Sequence, residues 1–206
     1  MVIKTTDTEK NIIFAARKVF YKKGYDGTKM RDIAKEAQVN LSMLHYYYRS
    51  KDAIFKIVFG EAFRQLFRNI HEVLIADVDF FKKIELLVST YIDSAAENPE
   101  LPMFVMSETS KNPELITEVM GEHKRSNVTT VDLSVFFEEI NKAVEEKLIK
   151  PINPQAFFID ILALTILPYL STSLLCMKFG SRQEMEQLLL SRKSYIAKML
   201  INEIKL

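Results

Sequence analysis

Apolar residues recur at helical spacing along almost the whole chain, whereas the strict alternation typical of strands is weak. From Ser50 to about Ala76 they form a broad stripe that is typical of an amphipathic helix. That stripe contains Ile54, Phe55, Val58, Phe59, Ala62, Phe63, Leu66, Phe67 and Ile70. Only five glycines occur and no proline precedes Pro99, so few helix breakers interrupt the pattern. The pattern therefore predicts an all-α protein.

Capping signals set the predicted helix boundaries in the first half of the chain. Thr6 and Glu9 have the spacing of a capping box, so we expect a first helix that begins there and ends near Gly24. Asp79 is a suitable N-cap for a helix that would run to about Glu97.

Asparagine–proline pairs mark the helix starts further along. Each pair combines an N-cap residue with a proline at the first helical position, and the pairs lie at residues 98–99, 112–113 and 153–154. We expect the helix after Pro113 to reach about Lys147, and the helix after the third pair to reach about Met177. A second capping box, Ser181 with Glu184, then opens the last helix.

The segment Ala156–Met177 is almost entirely apolar, with Asp160 as its only charge. It is long enough to span a bilayer, but Asp160, Pro168 and the hydroxyl residues at 171–173 argue against that, and no basic cluster flanks it directly. We therefore favour a helix that is buried by dimerisation together with the last helix. Two such helices from each subunit would form a four-helix bundle.

Residues 28–52 predict a short helix, a tight turn, a second short helix and the start of a third. The first short helix has an apolar face made of Ile33, Ala34 and Ala37. Asn40 is a good N-cap for the second, in which Leu44 and Tyr48 share the inner face. The side chains that turn away from that face are Leu41, Ser42, His45, Tyr46 and Arg49. Such groups suit phosphate oxygens, so the pattern predicts a helix-turn-helix with an exposed recognition helix.

The stretch from about Ile12 to Phe55 resembles the N-terminal DNA-binding domain of the TetR family of bacterial transcriptional regulators. The matching residues are Ile13, Ala15, Ala16, Phe20, Gly24, Tyr25, Thr28, Arg31, Asp32, Ile33, Ala34, Glu36, Ala37, Val39, Leu44, Tyr47, Tyr48, Ser50, Lys51 and Asp52. Homeodomain-like domains match less well, because they lack the ending formed here by residues 47–52. The resemblance covers about a quarter of the chain, and the remainder matches only in layout.

The chain departs from the family pattern at the turn and in the recognition helix. Gln38 stands where the family usually has glycine, in a turn that often needs a left-handed residue at a cost of roughly 1–2 kcal/mol. His45 replaces a usual tyrosine, while Leu41 and Met43 stand where polar residues are usual.

The resemblance implies two sets of DNA contacts. By the family pattern, phosphates should be contacted by Thr28, Lys29, Tyr46, Tyr47 and Lys51. The residues best placed for base edges are Leu41, Ser42, Met43 and His45. Leucine and methionine would select thymine methyl groups, which predicts A/T-rich half-sites, unless Met43 packs into the head and leaves only Leu41 exposed.

The resemblance also implies a domain plan and a function. We expect a helix-turn-helix head at residues 1–50 and a helical effector-binding and dimerisation domain at residues 51–206. The protein would be a homodimeric, cytoplasmic, one-component regulator, and we expect a repressor that binds a palindromic double-stranded DNA operator. An unknown small molecule would change the spacing of the heads through the helix that starts at Ser50. The alternative is a ligand-binding or interaction protein with a degenerate head, because Leu41 and Met43 lack hydrogen-bonding groups.

No motif locates the expected effector pocket. Such pockets are mostly apolar with a few polar anchors, and methionine adapts to irregular shapes. The candidates are Met103, Phe104, Met106, Met120, Phe136, Phe137 and Tyr169. Each of them could equally be an ordinary core residue.

The charge distribution supports a nucleic-acid-binding head. Residues 1–52 hold 11 Lys and Arg against 6 Asp and Glu, a net charge of +5, whereas the rest holds 17 against 21, a net of −4. A basic head on an acidic body suits contact with DNA through the head alone. Cys176 is the only cysteine, so no intramolecular disulfide is possible and a reducing compartment fits. The first ten residues lack the apolar region of a signal peptide.

The sequence predicts neither an enzyme nor a cofactor or metal site. His45, His71 and His123 are far apart, and none of them has a metal-ligand spacing. The chain contains no glycine-rich phosphate loop and no Gly-x-Ser-x-Gly signature.

Overall fold

The computed structural model describes residues 7–117 and 132–206. In these ranges all regular structure is helical, apart from one isolated antiparallel bridge between Ile149 and Lys205. The helices are α1 (Asp7–Gly27), α2 (Met30–Glu36), α3 (Leu41–Tyr47), α4 (Lys51–Leu74), α5 (Phe80–Glu97), α6 (Glu100–Lys111), α7 (Ser134–Glu145), α8 (Pro154–Thr165), α9 (Leu167–Leu170), α10 (Thr172–Phe179) and α11 (Arg182–Ile204). The all-α fold class predicted from the sequence is confirmed.

The described residues form two compact units. The first contains residues 7–65 and 103–117, and the second contains residues 66–102 and 132–206. Helices α4 and α6 each contribute to both units, because the divisions fall after Gln65 and Pro102. The functional division expected after residue 50 stays a prediction.

Aromatic side chains hold the first unit together. Phe20 of α1 lies edge-on to Phe55 of α4, with 5.2 Å between ring centroids, a favourable aromatic geometry. Phe104 of α6 lies 4.8 Å from Tyr21 and 6.1 Å from both Phe55 and Phe59. Phe20 and Phe59 are fully buried, so α1, α4 and α6 share one core that supports α2 and α3.

Helix α1 kinks at Gly24, where φ is 66° and ψ is −178°. This backbone conformation is essentially reserved for glycine, since a Cβ atom would clash there. The regular helix breaks at Gly24, where its end was predicted, and the chain then makes one further helical turn to Gly27.

The second unit is built around the packing of α5 against α11. Its buried core also takes residues from the end of α4 and from α7, α8 and α9. The core members include Ile70, Leu74, Ile84, Leu87, Val88, Tyr91, Phe136, Ile140, Phe157, Phe158, Ile161, Tyr169, Leu189, Ile196 and Leu200. Each of these helices therefore packs one of its faces into the core of its own subunit.

The apolar segment after Asn153 is broken into α8, α9 and α10, so the single helix predicted to reach Met177 is wrong. Pro168 has no N–H to donate and disfavours helical geometry in the residue before it. The hydroxyls of Ser171 and Thr172 donate to Leu167 O at 2.9 Å and Tyr169 O at 2.8 Å, so they compete for helical acceptors. Among the described helices, none combines the length and apolarity needed to cross a membrane.

Three predicted helix caps in the second unit are confirmed. Asp79 accepts hydrogen bonds from the N–H groups of the first turn of α5, and Asn153 accepts from Ala156 N at 2.8 Å. Ser181 and Glu184 form the predicted capping box of α11. The box expected at Thr6 lies outside the described residues. Of the helix expected from Pro113 to Lys147, residues 114–117 and α7 are helical, α7 begins only at Ser134, and residues 118–131 lie outside the described part.

Candidate nucleic-acid interface

Helices α2 and α3 form a helix-turn-helix on a buried base. Ile33 of α2 and Leu44 of α3 have no exposed surface, so these two helices are fixed by their inner faces. The side-chain amide of Asn11 donates to Ala37 O at 2.7 Å and ties the turn to α1. The turn is thus held by a hydrogen bond as well as by packing.

Gln38 occupies the left-handed region in the turn, with φ at 56°. This confirms the conformation predicted from its position, where glycine would avoid the steric cost. Asn40 then caps α3, because its Oδ1 accepts from Met43 N at 2.7 Å, also as predicted.

The outer face of α3 presents a row of exposed side chains. On α3, Ser42 and His45 are exposed, Met43 is 41 % exposed and Tyr46 is 83 % exposed, and Arg49 is exposed just after the end of the helix. In contrast, Leu41 is half-buried. The arrangement in which Met43 packs into the head and only Leu41 is exposed is therefore wrong. An exposed helix face of this kind can enter the major groove of DNA.

The residues predicted to contact phosphates differ in how exposed they are. Lys29 is exposed, and the rings of Tyr46 and Tyr47 lie edge to face with 5.3 Å between centroids. Thr28 is only 1 % exposed, and its hydroxyl donates to Gly24 O at 2.7 Å. In this conformation the Thr28 hydroxyl already donates its hydrogen bond within the head. Its contact with a phosphate stays a prediction.

Lys51 lies at the start of α4, close to Tyr25. Its Nζ donates to Tyr25 O at 3.0 Å and lies 3.9 Å from the centroid of the Tyr25 ring, a cation–π geometry. Ser50 precedes it and accepts from Ala53 N at 3.1 Å, so this helix start is capped. Its contact with a phosphate, like the base contacts of α3, stays a prediction.

Hydrogen bonds and ion pairs shape the electrostatics around these residues. The hydroxyl of Tyr25 donates to Asp52, and this bond is the main reason that the pKa of Tyr25 is raised to about 12. A hydrogen bond from Lys23 is the main cause of the lowered pKa of Asp32, and their ion pair spans 3.0 Å. Part of the basic charge of the head is thus neutralised by an ion pair between α1 and α2.

Sequence reasoning missed the carboxylate of Glu108 on α6, which accepts from Tyr25 N at 3.3 Å. Glu108 is 3 % exposed. Gly24 and Tyr25 belong to the family pattern and gave a local signal for the turn. No signal pointed to a partner 83 residues away.

The candidate pocket residues fall into both units. Met103, Phe104 and Met106 belong to the first, where Phe104 is buried and the two methionines are exposed. In the second unit, Phe136 and Tyr169 are buried and Phe137 is half-buried, and burial raises the pKa of Tyr169 to about 12. The last candidate, Met120, lies outside the described residues. The pocket assignment stays a prediction.

The second unit carries a surface groove of about 330 Å³ between α4 and α5 that none of these candidates lines. It is lined by Asn69, Glu72, Val73, Ala76, Leu86, Thr90, Asp93, Ser94 and Glu97. Within residues 7–117 and 132–206, His, Cys, Asp and Glu form no group of three or more that could hold a metal ion.

An exposed recognition helix whose inner face is buried, in a chain whose described regular structure is helical, is the arrangement typical of a helix-turn-helix transcriptional regulator. Residues 12–58 match the family model described as bacterial regulatory proteins, tetR family. Several relatives match most of the chain, including one from Bacillus subtilis and one from Staphylococcus epidermidis. YttP of Bacillus subtilis strain 168, named a probable HTH-type transcriptional regulator, is 25 % identical over 166 residues, covering 79 % of this chain and 77 % of YttP. The biofilm operon icaADBC negative transcriptional regulator IcaR of Staphylococcus epidermidis is 24 % identical over 149 residues, covering 72 % and 71 %.

The fold is also shared with a solved regulator. The transcriptional regulator FadR of Bacillus subtilis, crystallised in complex with stearoyl-CoA, matches with a TM-score of 0.64 and 17 % identity. The match covers 93 % of this chain and 97 % of FadR. Residues 12–58 thus carry the DNA-binding domain of the tetR family of bacterial regulatory proteins, and the family resemblance expected from the sequence is confirmed.

Proposed function

We propose that this regulator is a cytoplasmic repressor that binds a palindromic operator as a homodimer and is released by a small-molecule effector. The exposed face of α3 carries the proposal, because hydroxyl and imidazole groups stand there on a buried base, and the exposed guanidinium of Arg49 follows just after the helix. The negative regulator IcaR supports repression as the outcome of binding.

The proposed phosphate contact of Lys51 tests DNA binding directly. The DNA flanking the protein's own gene is the first probe, because such regulators often control neighbouring genes. Lys51→Ala should weaken binding to all sequences alike and lower the slope of log K against log salt by about one, since one phosphate contact is lost. Lys142→Ala, at an exposed position of α7, serves as the matched control and should bind as the wild type does.

A degenerate head would give a different result. A folded wild-type protein that bound flanking DNA no better than random DNA, with a wild-type salt slope for Lys51→Ala, would favour the ligand-binding or interaction protein instead. Fluorescence anisotropy at several salt concentrations measures both quantities.

Base reading by Met43 and Leu41 makes a separate prediction. Because neither side chain can donate a hydrogen bond, contact with thymine methyl groups would provide their selectivity. Replacing thymine by uracil in a selected operator should therefore reduce affinity, and the selected half-sites should be A/T-rich. Unchanged affinity with uracil, or half-sites that are G/C-rich throughout, would contradict methyl reading while leaving DNA binding intact.

Exposed apolar residues on the C-terminal helices support a homodimer. Ile159 on α8, Leu188 and Tyr195 on α11, and Met177 and Phe179 on α10 are all exposed in the single subunit. Ile159 and Tyr195 lie on the faces opposite those packed into the core of the second unit. Pairing α8 and α11 with their copies in a second subunit would cover this surface and form a four-helix bundle.

The proposed effector is a small molecule, and its chemical class is open to a direct screen. Operator release, measured by anisotropy, is the readout. Long-chain acyl-CoA thioesters belong in that screen because FadR, which shares the fold, was crystallised with stearoyl-CoA. A reporter gene behind the selected operator should be silent with the regulator present and active after a releasing compound is added.

A further inference from the structure

We infer that Glu108 is a positioning residue for DNA binding, whose buried carboxylate fixes the turn that holds Lys51 ready for a DNA phosphate. The inference rests on the proposed function, in which Lys51 contacts a phosphate. It adds a residue of α6 to the parts of the molecule on which operator binding depends.

The first step is the hydrogen bond between Glu108 and Tyr25. In a regular helix the Tyr25 N–H would donate to a carbonyl four residues earlier, but the kink at Gly24 breaks that pattern. The N–H donates instead to Glu108 Oε1 at 3.3 Å. Glu108 thus replaces the missing helical acceptor and caps the last turn of α1 from outside the helix.

The burial of Glu108 shows that this contact is specific. A carboxylate is seldom buried this completely unless it is paired. Lys111 provides the charge partner at 3.3 Å and also lies 3.5 Å from Asp26 in the same turn. Glu108 is the main cause of the raised pKa of Lys111.

Gly24 has a positive φ, and it also lies close to the Glu108 carboxylate. A Cβ atom at Gly24 would lie 2.8 Å from Glu108 Oε1, which is closer than real Cβ contacts allow. The positive φ strains any other residue at this position, and a Cβ atom there would in addition push the end of the Glu108 side chain away from Tyr25 N.

The second step runs from Tyr25 to Lys51. Tyr25 contacts Lys51 in two ways: its backbone carbonyl accepts from Lys51 Nζ at 3.0 Å, and its ring lies under the same ammonium group. The hydroxyl of Tyr25 donates to Asp52. An ammonium group has three N–H donors, so the bond to Tyr25 fixes its position and still leaves donors for a phosphate. If Glu108 releases the Tyr25 N–H, the turn can rotate and Lys51 loses its acceptor.

One test needs no DNA. Lysine reactivity is measured in the full-length protein by reductive methylation and mass spectrometry, alongside hydrogen exchange of the Tyr25 amide. In Glu108→Ala, Lys51 should react several-fold faster and the Tyr25 amide should exchange faster. Lys142, an exposed lysine of α7, should react at an unchanged rate. Unchanged rates at both Lys51 and Tyr25 would overturn the inference.

A double-mutant cycle tests the consequence for operator binding. Lys51→Ala should lose roughly tenfold in affinity at 0.1 M salt, as expected for one phosphate contact. Glu108→Ala should lose a similar factor and lower the salt slope by about one, because Lys51 is no longer held. The double variant should lose no more than either single variant. Glu114→Ala removes an exposed carboxylate just after α6 and should bind as the wild type does.

The outcomes separate this inference from the proposed function. Losses that add in full, or a Glu108→Ala variant with a wild-type salt slope, would show that Glu108 acts independently of Lys51. If the wild type binds no operator, or Lys51→Ala binds normally, the proposed function fails. The reductive methylation and hydrogen-exchange experiment, which needs no DNA, still decides whether Glu108 positions Lys51. If Glu108→Ala does not fold, Glu108→Gln replaces it. It retains a neutral acceptor and should give smaller changes in the same direction.

Discussion

Gln38, which has a positive φ, shows how much of a turn can be predicted residue by residue. The position of Gln38 in the helix-turn-helix pattern predicted its left-handed backbone, and Asn40 predicted the cap that follows. Both signals are local, because a turn restricts the residue types that fit it. Glu108 was missed for the opposite reason, since a buried partner from a distant helix leaves no mark in the sequence around Tyr25.

Replacing Gln38 by glycine should stabilise the first unit by about 0.5–1 kcal/mol. Glycine removes the steric cost of the left-handed conformation, and its greater freedom in the unfolded chain offsets part of that gain. Urea unfolding of the full-length protein measures the change, and Gln38→Ala, which keeps the Cβ atom, should show no gain. Lys147→Gly, at the same φ of 56°, provides a parallel case in the second unit. Equal stability of the glycine and alanine variants would contradict strain at Gln38.

At the scale of single elements, α5 is joined to the end of α4 and to α7 by one buried lysine. Lys83 Nζ donates to Leu74 O at 2.9 Å and pairs with Glu139 at 2.6 Å. The two side chains are unequally buried, at 3 % exposure for Lys83 and 35 % for Glu139. The Asp79 cap predicted α5, but nothing in the sequence marked Lys83 as a buried residue. Its burial depends on two acceptors that only the folded chain brings together.

The unequal burial predicts unequal costs of removing each partner. Glu139→Ala leaves a buried ammonium with only the Leu74 carbonyl, so it should destabilise the second unit by about 2–3 kcal/mol. Lys83→Met leaves a carboxylate that water can reach and keeps the apolar stem, so its cost should be nearer 1 kcal/mol. Calorimetry of the full-length variants provides the comparison, with Glu145→Ala on the exposed side of α7 as the control. A larger cost for Lys83→Met would mean that the carbonyl contact, not the ion pair, dominates.

The broken segment α8–α10 marks the limit of predicting an element from its composition. Its apolar residues predicted one helix, although Pro168 and the hydroxyl residues after it were visible in the sequence. Their effect was underestimated because periodicity alone cannot say where a helix changes direction. The breaks give three short helices, of which α8 presents Ile159 outward and α10 presents Met177 and Phe179 outward.

For the whole molecule, the proposed dimer predicts that single charges on the outer faces of α8 and α11 abolish association. Deleting α11 is a poor test, because its inner face belongs to the core of the second unit. Ile159→Glu and Tyr195→Glu instead change residues that are 62 % and 64 % exposed, so the fold should survive while two like charges meet across the two-fold axis. Ile75→Glu, 59 % exposed beyond the end of α4, is the matched control.

Sedimentation velocity should show a dimer for the wild type and for Ile75→Glu, and a monomer for the two other variants. Because two linked heads bind a palindrome with an avidity that single heads lack, the monomers should also lose roughly a hundredfold or more in operator affinity. Their affinity for an isolated half-site should stay unchanged, which distinguishes lost pairing from a damaged head. If Ile159→Glu and Tyr195→Glu both still sediment as dimers, the interface lies elsewhere. If they are monomers with full operator affinity, the protein does not need two heads to recognise its site.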